Sequence, residues 1–310
     1  MISLHRTRAM RALAIVPMMA ILTLAGCGGG GSSNTTSGNV GHGMKLTVGG
    51  KLDVEAQLLT KMYTLLLQHA GYDVTEEAKL GTNQIVFQAI TSGSIDLYPE
   101  FTATGLAKLG KTTTHDPHQD YLNVKAGYEQ QYHITWLNAS PMNDTYGVCT
   151  TKANADALHL TKDSQLAAIA SQKVISTPPD GKNDPNVLDA MTAQYGTHWK
   201  SIQVLSEEAP TFLAVQQKQA DFNVCYTTTG LIVADNFVLL EDDKNVFPIY
   251  NPAPIIRQDT LAKSPAIAGV LNALAPKLTT AEITKLNADV AGGKTVTEVA
   301  TTFLQSQHLI

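Results

Sequence analysis

Hydrophobic residues form two patterns that alternate from about residue 46 to the end of the chain. Short apolar runs such as LTVGG (46–50) and YGVCTT (146–151) are typical of buried strands. Between such runs, apolar residues recur every three or four positions, as from Val54 to Leu66, directly after the helix-capping type of residue Asp53. Because strand and helix patterns alternate, the sequence predicts an α/β fold with parallel sheets.

The alternation falls into two blocks, and this predicts two lobes between which the chain crosses twice. Residues 45–144 and 248–310 are expected to form lobe I, and residues 145–247 lobe II. Within lobe II, the PPDG segment (178–181) predicts a turn. Ligands of such folds bind beyond the carboxyl ends of the strands, so we expect a site in the crevice between the lobes.

The N-terminal residues 1–26 have the features of an export signal. Basic residues precede an apolar segment, 12–24, which is too short to be a permanent membrane span. The segment runs into LAGC (24–27), which resembles the bacterial lipobox and implies cleavage before Cys27 and lipid attachment to its sulfur. An uncleaved anchor and an ordinary secretory signal are the alternatives. Residues 27–44, rich in Gly, Ser, Asn and Thr, predict a flexible tether, so we expect a lipid-anchored protein of the cell envelope.

Composition and motifs exclude several classes of function. The chain is 44% hydrophobic and 16% charged, as expected of a globular protein, and its net charge of −5 argues against nucleic acid as a partner. No nucleophile-elbow, zinc-protease, Walker or dinucleotide-binding motif is present, so neither catalysis nor a cofactor is predicted. The segment THDPHQD (114–120) could hold a metal, but a solvated loop is the better interpretation, and no metal site is predicted.

Two cysteines lie in strand-like segments of the globular part, Cys149 in YGVCTT and Cys225 in FNVCYTT. An exported compartment permits a disulfide between them. Two buried free thiols are an equal alternative, because free cysteine is often a core residue. The pairing is therefore a possibility that the sequence leaves open.

Aromatic residues make up only 6% of the chain, yet several occur where predicted strands meet turns. These are Phe101, Tyr146, Tyr226 and Tyr250. Any one of them alone is more often a core or rim residue than a ligand contact. Aromatic faces carry negative potential, and together they can surround a quaternary ammonium group, which offers no hydrogen-bond donor. The four positions suggest a cage for such a cation.

The motifs resemble, in order, those of the substrate-binding proteins of osmoprotectant ABC importers. This family comprises the glycine betaine, choline and carnitine binders related to ProX and the Opu proteins. The motifs are DLYPEFTAT (96–104), NDTYGV (143–148), PPDG, ADFNVCYTTTG (220–230) and LLEDDKNVFPIYNPAPIIRQDTL (239–261). The resemblance extends from about residue 46 to 310. It implies a two-lobed periplasmic-binding-protein fold of type II, the venus flytrap, which closes on its ligand.

The resemblance also implies roles for individual residues. The four aromatic residues would form the cage, Lys51 would meet a ligand carboxylate, and Thr104 would lie near the same group. Asp144 would lie beside the cage and attract the cation. We therefore expect a ligand-binding set of Lys51, Phe101, Thr104, Asp144, Tyr146, Tyr226 and Tyr250.

Several positions depart from the family pattern. Phe101 replaces the commonest tyrosine, and it keeps the ring while losing the hydroxyl. Pro178 stands where the family has an arginine, so one clamp for a carboxylate is absent, and Thr229 replaces an aspartate. A cage for a cation is kept, whereas recognition of a betaine carboxylate is weakened. Choline, which has no carboxylate, becomes a candidate ligand beside glycine betaine.

The sequence therefore predicts an extracytoplasmic lipoprotein that binds a small quaternary ammonium compound and delivers it to the permease and ATPase of an ABC importer. A binder of another small cationic or polar solute is the alternative within the same class. An enzyme on a similar two-lobed scaffold and an adhesive lipoprotein that has lost solute binding are alternatives from other classes.

Overall fold

The computed structural model describes residues 39–310, so the predicted signal peptide and Cys27 lie outside the described residues. The strands are, in chain order, β1 (Lys45–Lys51), β2 (Asp73–Gly81), β3 (Leu97–Phe101), β4 (Ile134–Trp136), β5 (Tyr146–Thr151), β6 (Val174–Thr177), β7 (Ser201–Val204), β8 (Phe222–Tyr226), β9 (Phe237–Leu239) and β10 (Pro252–Arg257). The α-helices are α1 (Val54–His69), α2 (Asn83–Ser92), α3 (Thr102–Lys108), α4 (Pro117–Tyr132), α5 (Lys152–Leu158), α6 (Pro179–Asn183), α7 (Leu188–Tyr195), α8 (Glu208–Gln216), α9 (Leu231–Ala234), α10 (Gln258–Lys263), α11 (Ala266–Asn272), α12 (Thr280–Ala291) and α13 (Val296–Ser306). Short 3₁₀ turns occur at Asp163–Ala168, Ala170–Gln172 and Ala275–Lys277.

The strands form two five-stranded sheets, which define the two lobes. Lobe I is built on the order β2-β1-β3-β10-β4, and lobe II on β7-β6-β8-β5-β9. Both sheets are mixed, because β10 runs antiparallel to β3 and β4, and β5 runs antiparallel to β8 and β9. The prediction of parallel sheets is therefore wrong for these strands. Each of them follows a long connection, and its direction in the sheet is not visible in the local pattern.

Each lobe has its own core, and the helical periodicity explains how lobe I forms. Asp53 caps α1 by accepting a hydrogen bond from the backbone N–H of Ala56 at 2.7 Å. One face of α1 buries Leu58, Leu59 and Met62 in a cluster that also contains residues of α11, α12 and α13. Burying such side chains contributes about 1.5–3 kcal/mol each, so the C-terminal helices stabilise the first lobe.

The two crossings between the lobes lie side by side. The chain passes from β4 to β5 through residues 137–145 and returns from β9 to β10 through residues 240–251. The backbone N–H of Asp144 donates to the carbonyl of Tyr250 at 3.2 Å, and the N–H of Tyr250 donates to Oδ1 of Asn143 at 2.7 Å. Two adjacent connections of this kind can bend together, as a hinge requires.

Three segments differ from the prediction. Residues 39–44, the end of the predicted tether, are folded: the backbone N–H groups of Gly41 and Gly43 donate to the carbonyls of Ala70 and Gly71. Gly41 permits this because a Cβ atom there would lie 2.5 Å from the nitrogen of Tyr72. The tether prediction is therefore wrong for these residues.

None of the helices in the described part of the chain has the length and hydrophobicity needed to cross a bilayer.

The other two differences are helix starts that looked like loops. Within THDPHQD, Asp116 caps α4 through the N–H groups of His118 and Gln119, and Pro117 occupies the first helical turn. The PPDG segment likewise opens a helix, α6, at Pro179. Proline is favoured at the first position of a helix as well as in turns, so the same residues satisfy both structures.

Candidate functional site

A cavity of about 720 Å³ lies between the two sheets and is lined by residues of both lobes. All seven residues of the predicted ligand-binding set line it. The full lining is Lys51, Asp53, Val54, Glu55, Asn83, Phe101, Thr104, Asp144, Tyr146, Glu208, Tyr226, Thr228, Thr229, Gly230, Leu231, Tyr250, Asn287, Val290 and Ala291. The cavity thus gathers residues that are up to 240 positions apart in the sequence, from Lys51 to Ala291.

Three of the four predicted cage rings come from strand ends, and the fourth comes from the crossing just before β10. Tyr146 begins β5 and Tyr226 ends β8, and the antiparallel register places them opposite each other. Their ring centroids lie 5.2 Å apart with an interplanar angle of 35°. Phe101 ends β3 in lobe I, and Tyr250 precedes β10 on the returning crossing. Aromatic rings are therefore supplied by lobe I, lobe II and the hinge.

Behind the Tyr146–Tyr226 pair, a disulfide joins the same two strands. Cys149 on β5 and Cys225 on β8 are bonded, with their Cα atoms 5.9 Å apart. Both cysteines are buried. Of the two alternatives that the sequence left open, the structure contains the disulfide. It holds in register the two strands that carry the lobe II rings.

Lys51 lies in the cavity wall but already has a partner within the protein. Its Nζ is 2.6 Å from Oε1 of Glu100, and both side chains are buried. Glu100 also accepts from the Tyr98 hydroxyl at 2.8 Å and from the backbone N–H of Phe101 at 2.9 Å. The Lys51 ammonium lies 5.0 Å from the centroid of the Phe101 ring, so a protein cation already occupies one face of that ring.

Asp144 lies at the hinge, where its carboxylate faces the cavity. The Thr228 hydroxyl donates to its Oδ1 at 2.7 Å. Burial raises the pKa of Asp144 to about 7, and the hydrogen bond from Thr228 opposes this rise. The nearby carboxylates of Asp53 and Glu208 raise the pKa further, whereas Lys51 lowers it. Near neutral pH, Asp144 is therefore poised to gain or lose a proton.

Glu55 is a second carboxylate of the wall, and the sequence analysis did not single it out. It lies in the first turn of α1, and Asn287 of α12 donates to its Oε2 at 2.9 Å. The same amide donates to the carbonyl of Thr228 in lobe II at 2.8 Å, so Asn287 links the lobes. Burial, followed by the charge of Asp144, raises the pKa of Glu55 well above its usual range.

Glu208 was also missed, because nothing in the local sequence around it points to a binding site. It begins α8, and its carboxylate accepts from the backbone N–H of Tyr226 and from the Thr229 hydroxyl, each at 2.9 Å. Burial raises the pKa of Glu208, and these two hydrogen bonds oppose the rise. Only the contact with β8, which lies well beyond it in the chain, reveals that Glu208 belongs to the cavity.

The carboxylates and aromatic rings of the cavity wall determine which kind of ligand the cavity can bind. Carboxylates and aromatic faces both attract a cation, and neither gives a nucleophile paired with a base. The half-buried Thr104 on α3 adds a hydroxyl to the lobe I side. The cavity is therefore suited to binding a small cationic solute between two lobes rather than to covalent chemistry.

Comparisons with known proteins identify several relatives of this chain. A glycine-betaine-binding protein of Pseudomonas aeruginosa is 29% identical over 277 residues, covering 86% of this chain and 88% of that protein. The glycine betaine-binding protein YehZ of Escherichia coli is 28% identical over 273 residues, covering 84% of this chain and 90% of that protein.

A solved structure described as a glycine betaine/carnitine/choline ABC transporter superposes with a TM-score of 0.80 at 23% identity, over 85% of this chain and 99% of that one. The predicted two-lobed binding-protein fold is thereby confirmed. Residues 44–306 match the OpuAC family, described as the substrate binding domain of ABC-type glycine betaine transport systems. The chain belongs to this family, whose members are substrate-binding proteins of ABC transporters rather than enzymes.

Proposed function

We propose that the cavity captures a quaternary ammonium osmoprotectant of the glycine betaine or choline type in a cage of Phe101, Tyr146, Tyr226 and Tyr250. The observation that carries this proposal is that all four rings line one cavity together with several carboxylates. A quaternary ammonium group has no N–H to donate, so it is held by aromatic faces and negative potential. The relatives named as glycine betaine-binding proteins support the same class of ligand.

The protein then delivers this ligand to the permease and ATPase of an ABC importer on the outer side of the membrane. Membership of the family supports the transporter. The LAGC sequence at residues 24–27 supports a lipid anchor on Cys27. Replacing Cys27 with serine is expected to release the protein from the membrane fraction of cells. A variant that stays in that fraction would show that something other than a Cys27 lipid holds it there.

The ligand is tested by calorimetric titration with glycine betaine, choline, carnitine and proline betaine. Because a desolvated cation–π contact is worth about 2 kcal/mol and the packing lost with the ring adds to it, replacing one ring with alanine should weaken binding by roughly tenfold or more. Phenylalanine in place of Tyr146, Tyr226 or Tyr250 should cost less, because the ring and its quadrupole remain.

The control is the thermal unfolding of each variant without ligand, which separates loss of binding from loss of folding. If alanine at all four ring positions leaves the affinity for every quaternary ammonium compound unchanged in folded protein, the cage is wrong. Binding of a different small cation or polar solute by a protein that ignores all four compounds would favour the alternative within the same class.

A further inference from the structure

We infer that Glu208 is a specificity-determining residue that makes the cavity prefer quaternary ammonium cations without a carboxylate over zwitterionic betaines. This inference rests on the proposed function and names the class of ligand more narrowly. It follows from three observations: the position of Glu208, the balance of charge around the cavity, and the state of Lys51.

Glu208 is fixed beside the lobe II rings. Its Oε1 accepts from the backbone N–H of Tyr226 and its Oε2 from the hydroxyl of Thr229, each at 2.9 Å. Two donors stabilise the ionised carboxylate at this position. Glu208 therefore brings a carboxylate to the end of β8, the strand that carries the proposed cage ring of Tyr226.

The walls contain more carboxyl groups than cationic groups. Carboxylates of Asp53, Glu55, Asp144 and Glu208 line the cavity. Three of them have other hydrogen-bond partners: Asp53 caps α1, Glu55 binds Asn287, and Asp144 binds Thr228. Of these four carboxylates, Glu208 is the one that accepts a hydrogen bond from the backbone N–H of the proposed cage residue Tyr226.

The cavity lining offers few cationic side chains to pair with a ligand carboxylate. Among the described residues that line the cavity, Lys51 is the only one with a cationic side chain. Its ammonium is bound at 2.6 Å to Glu100, which keeps that pair close to neutral as a whole. A zwitterion brings its own negative charge into a space that already holds the carboxylate of Glu208, whose ionised form is stabilised by two donors, whereas choline brings no negative charge. The same trimethylammonium head is therefore bound more tightly when it carries a hydroxyl.

The experiment compares choline with glycine betaine, which share this head, by calorimetry at constant pH and ionic strength. Glu208→Gln keeps the size of the side chain and removes its charge. Glu207→Gln is the matched control, because Glu207 is the adjacent acidic residue and is exposed. We expect the unmodified protein to bind choline at least tenfold more tightly than glycine betaine. Glu208→Gln should weaken choline binding about tenfold and glycine betaine binding by a smaller factor, so the ratio of the two affinities should fall. Glu207→Gln should leave both affinities unchanged.

Other outcomes separate this inference from the proposed function. If the unmodified protein prefers glycine betaine, or if Glu208→Gln weakens both ligands by the same factor, the specificity role is wrong and the cage stands. If neither compound nor carnitine binds to the folded protein, the proposed function fails and the inference fails with it. Thermal unfolding of Glu208→Gln identifies a variant that is misfolded, and Glu208→Asp, which retains the charge, should then keep the preference for choline.

Discussion

The wall that lobe I contributes to the cavity is held by a buried ion pair, whereas the wall of lobe II is held by a covalent bond. In lobe I, Glu100 ties together Lys51, the Tyr98 hydroxyl and the backbone of Phe101. In lobe II, the Cys149–Cys225 disulfide crosslinks the strands that carry Tyr146 and Tyr226. The two halves of one site therefore respond to different perturbations: the first to loss of a charge, the second to reduction.

Breaking the ion pair should give the largest effect. Lys51→Met leaves Glu100 as an unpaired charge in the core, which costs about 3–5 kcal/mol of unfolding free energy. This substitution does not measure the contact between Lys51 and a ligand carboxylate alone, because it also removes the partner of Glu100, which binds the backbone of Phe101. Urea unfolding measures the loss. The double variant Lys51→Met/Glu100→Gln removes both charges and should recover part of the stability. Equal stability of the single and double variants would show that the pair is not what holds this wall.

Removing the disulfide should give the next largest effect, confined to lobe II. Cys149→Ala/Cys225→Ala frees a loop with a sequence separation of 76 residues, and such losses typically cost about 2–5 kcal/mol. The measurement is urea unfolding of the variant, with the unmodified protein in reducing buffer as the matched control. Hydrogen exchange should rise in β5 and β8 more than in β1 and β3. An increase spread evenly over both lobes would remove the contrast between them.

A third prediction concerns the place where the lobes touch. At Gly230 of lobe II, a Cβ atom would lie 2.5 Å from the backbone nitrogen of Ala288 in lobe I, which cannot yield as a side chain can. Gly230→Val should therefore cost about 1–3 kcal/mol through overpacking and should keep the lobes apart. Thermal unfolding and calorimetry with the confirmed ligand measure both effects. Gly269→Ala is the control, because nothing lies within 4 Å of its Cβ position. Similar results for the two variants would count against a close contact.

The smallest expected effect is a gain in stability within lobe II. Asp163 is fully buried, and neither of its side-chain oxygens has a hydrogen-bond partner. Burial, together with the charges of Asp242 and Asp243, raises its pKa from 3.8 to about 9. The folded protein therefore binds a proton that the unfolded chain releases above about pH 4, and stability falls as the pH rises from there towards 9.

Asp163→Asn removes this dependence. The variant should match the unmodified protein near pH 3.5 and exceed it by at least about 1 kcal/mol at pH 7, because asparagine does not have to be kept protonated above its unfolded-state pKa as Asp163 does. Urea unfolding over this pH range measures the difference. A constant difference at all pH values would mean that titration of Asp163 is not its cause. The buried Glu100 of lobe I differs from Asp163, because its carboxylate accepts from three donors.

The elements that the sequence predicted well are those with strong local signals. The strand YGVCTT coincides with β5, and Asp53 caps α1 as expected. The helix α4 was missed because its pattern is weak: the buried residues include Asp120 and Gly127, and they do not form an apolar stripe. Strand directions could not be predicted, because they depend on how the crossings return the chain to each sheet.

The site shows the same division between local and distant information. Aromatic residues at strand ends pointed to the cavity, and all four line it. The partner of Lys51 was not foreseen, although Glu100 lies within the quoted motif DLYPEFTAT. Glu208 and Asn287 were missed because their importance comes only from contacts with Tyr226, Thr229, Glu55 and Thr228. Such contacts leave no periodic signal in the sequence.

The disulfide makes the folding of lobe II depend on where the chain folds. Cysteines stay reduced in the cytosol and pair in oxidising compartments. A chain that folds before it is exported therefore lacks the crosslink between β5 and β8, and its Tyr146–Tyr226 pair is held by strand pairing alone. Oxidation after export fixes that pair. The lobe II wall therefore reaches its full rigidity only in the compartment where the solute is captured.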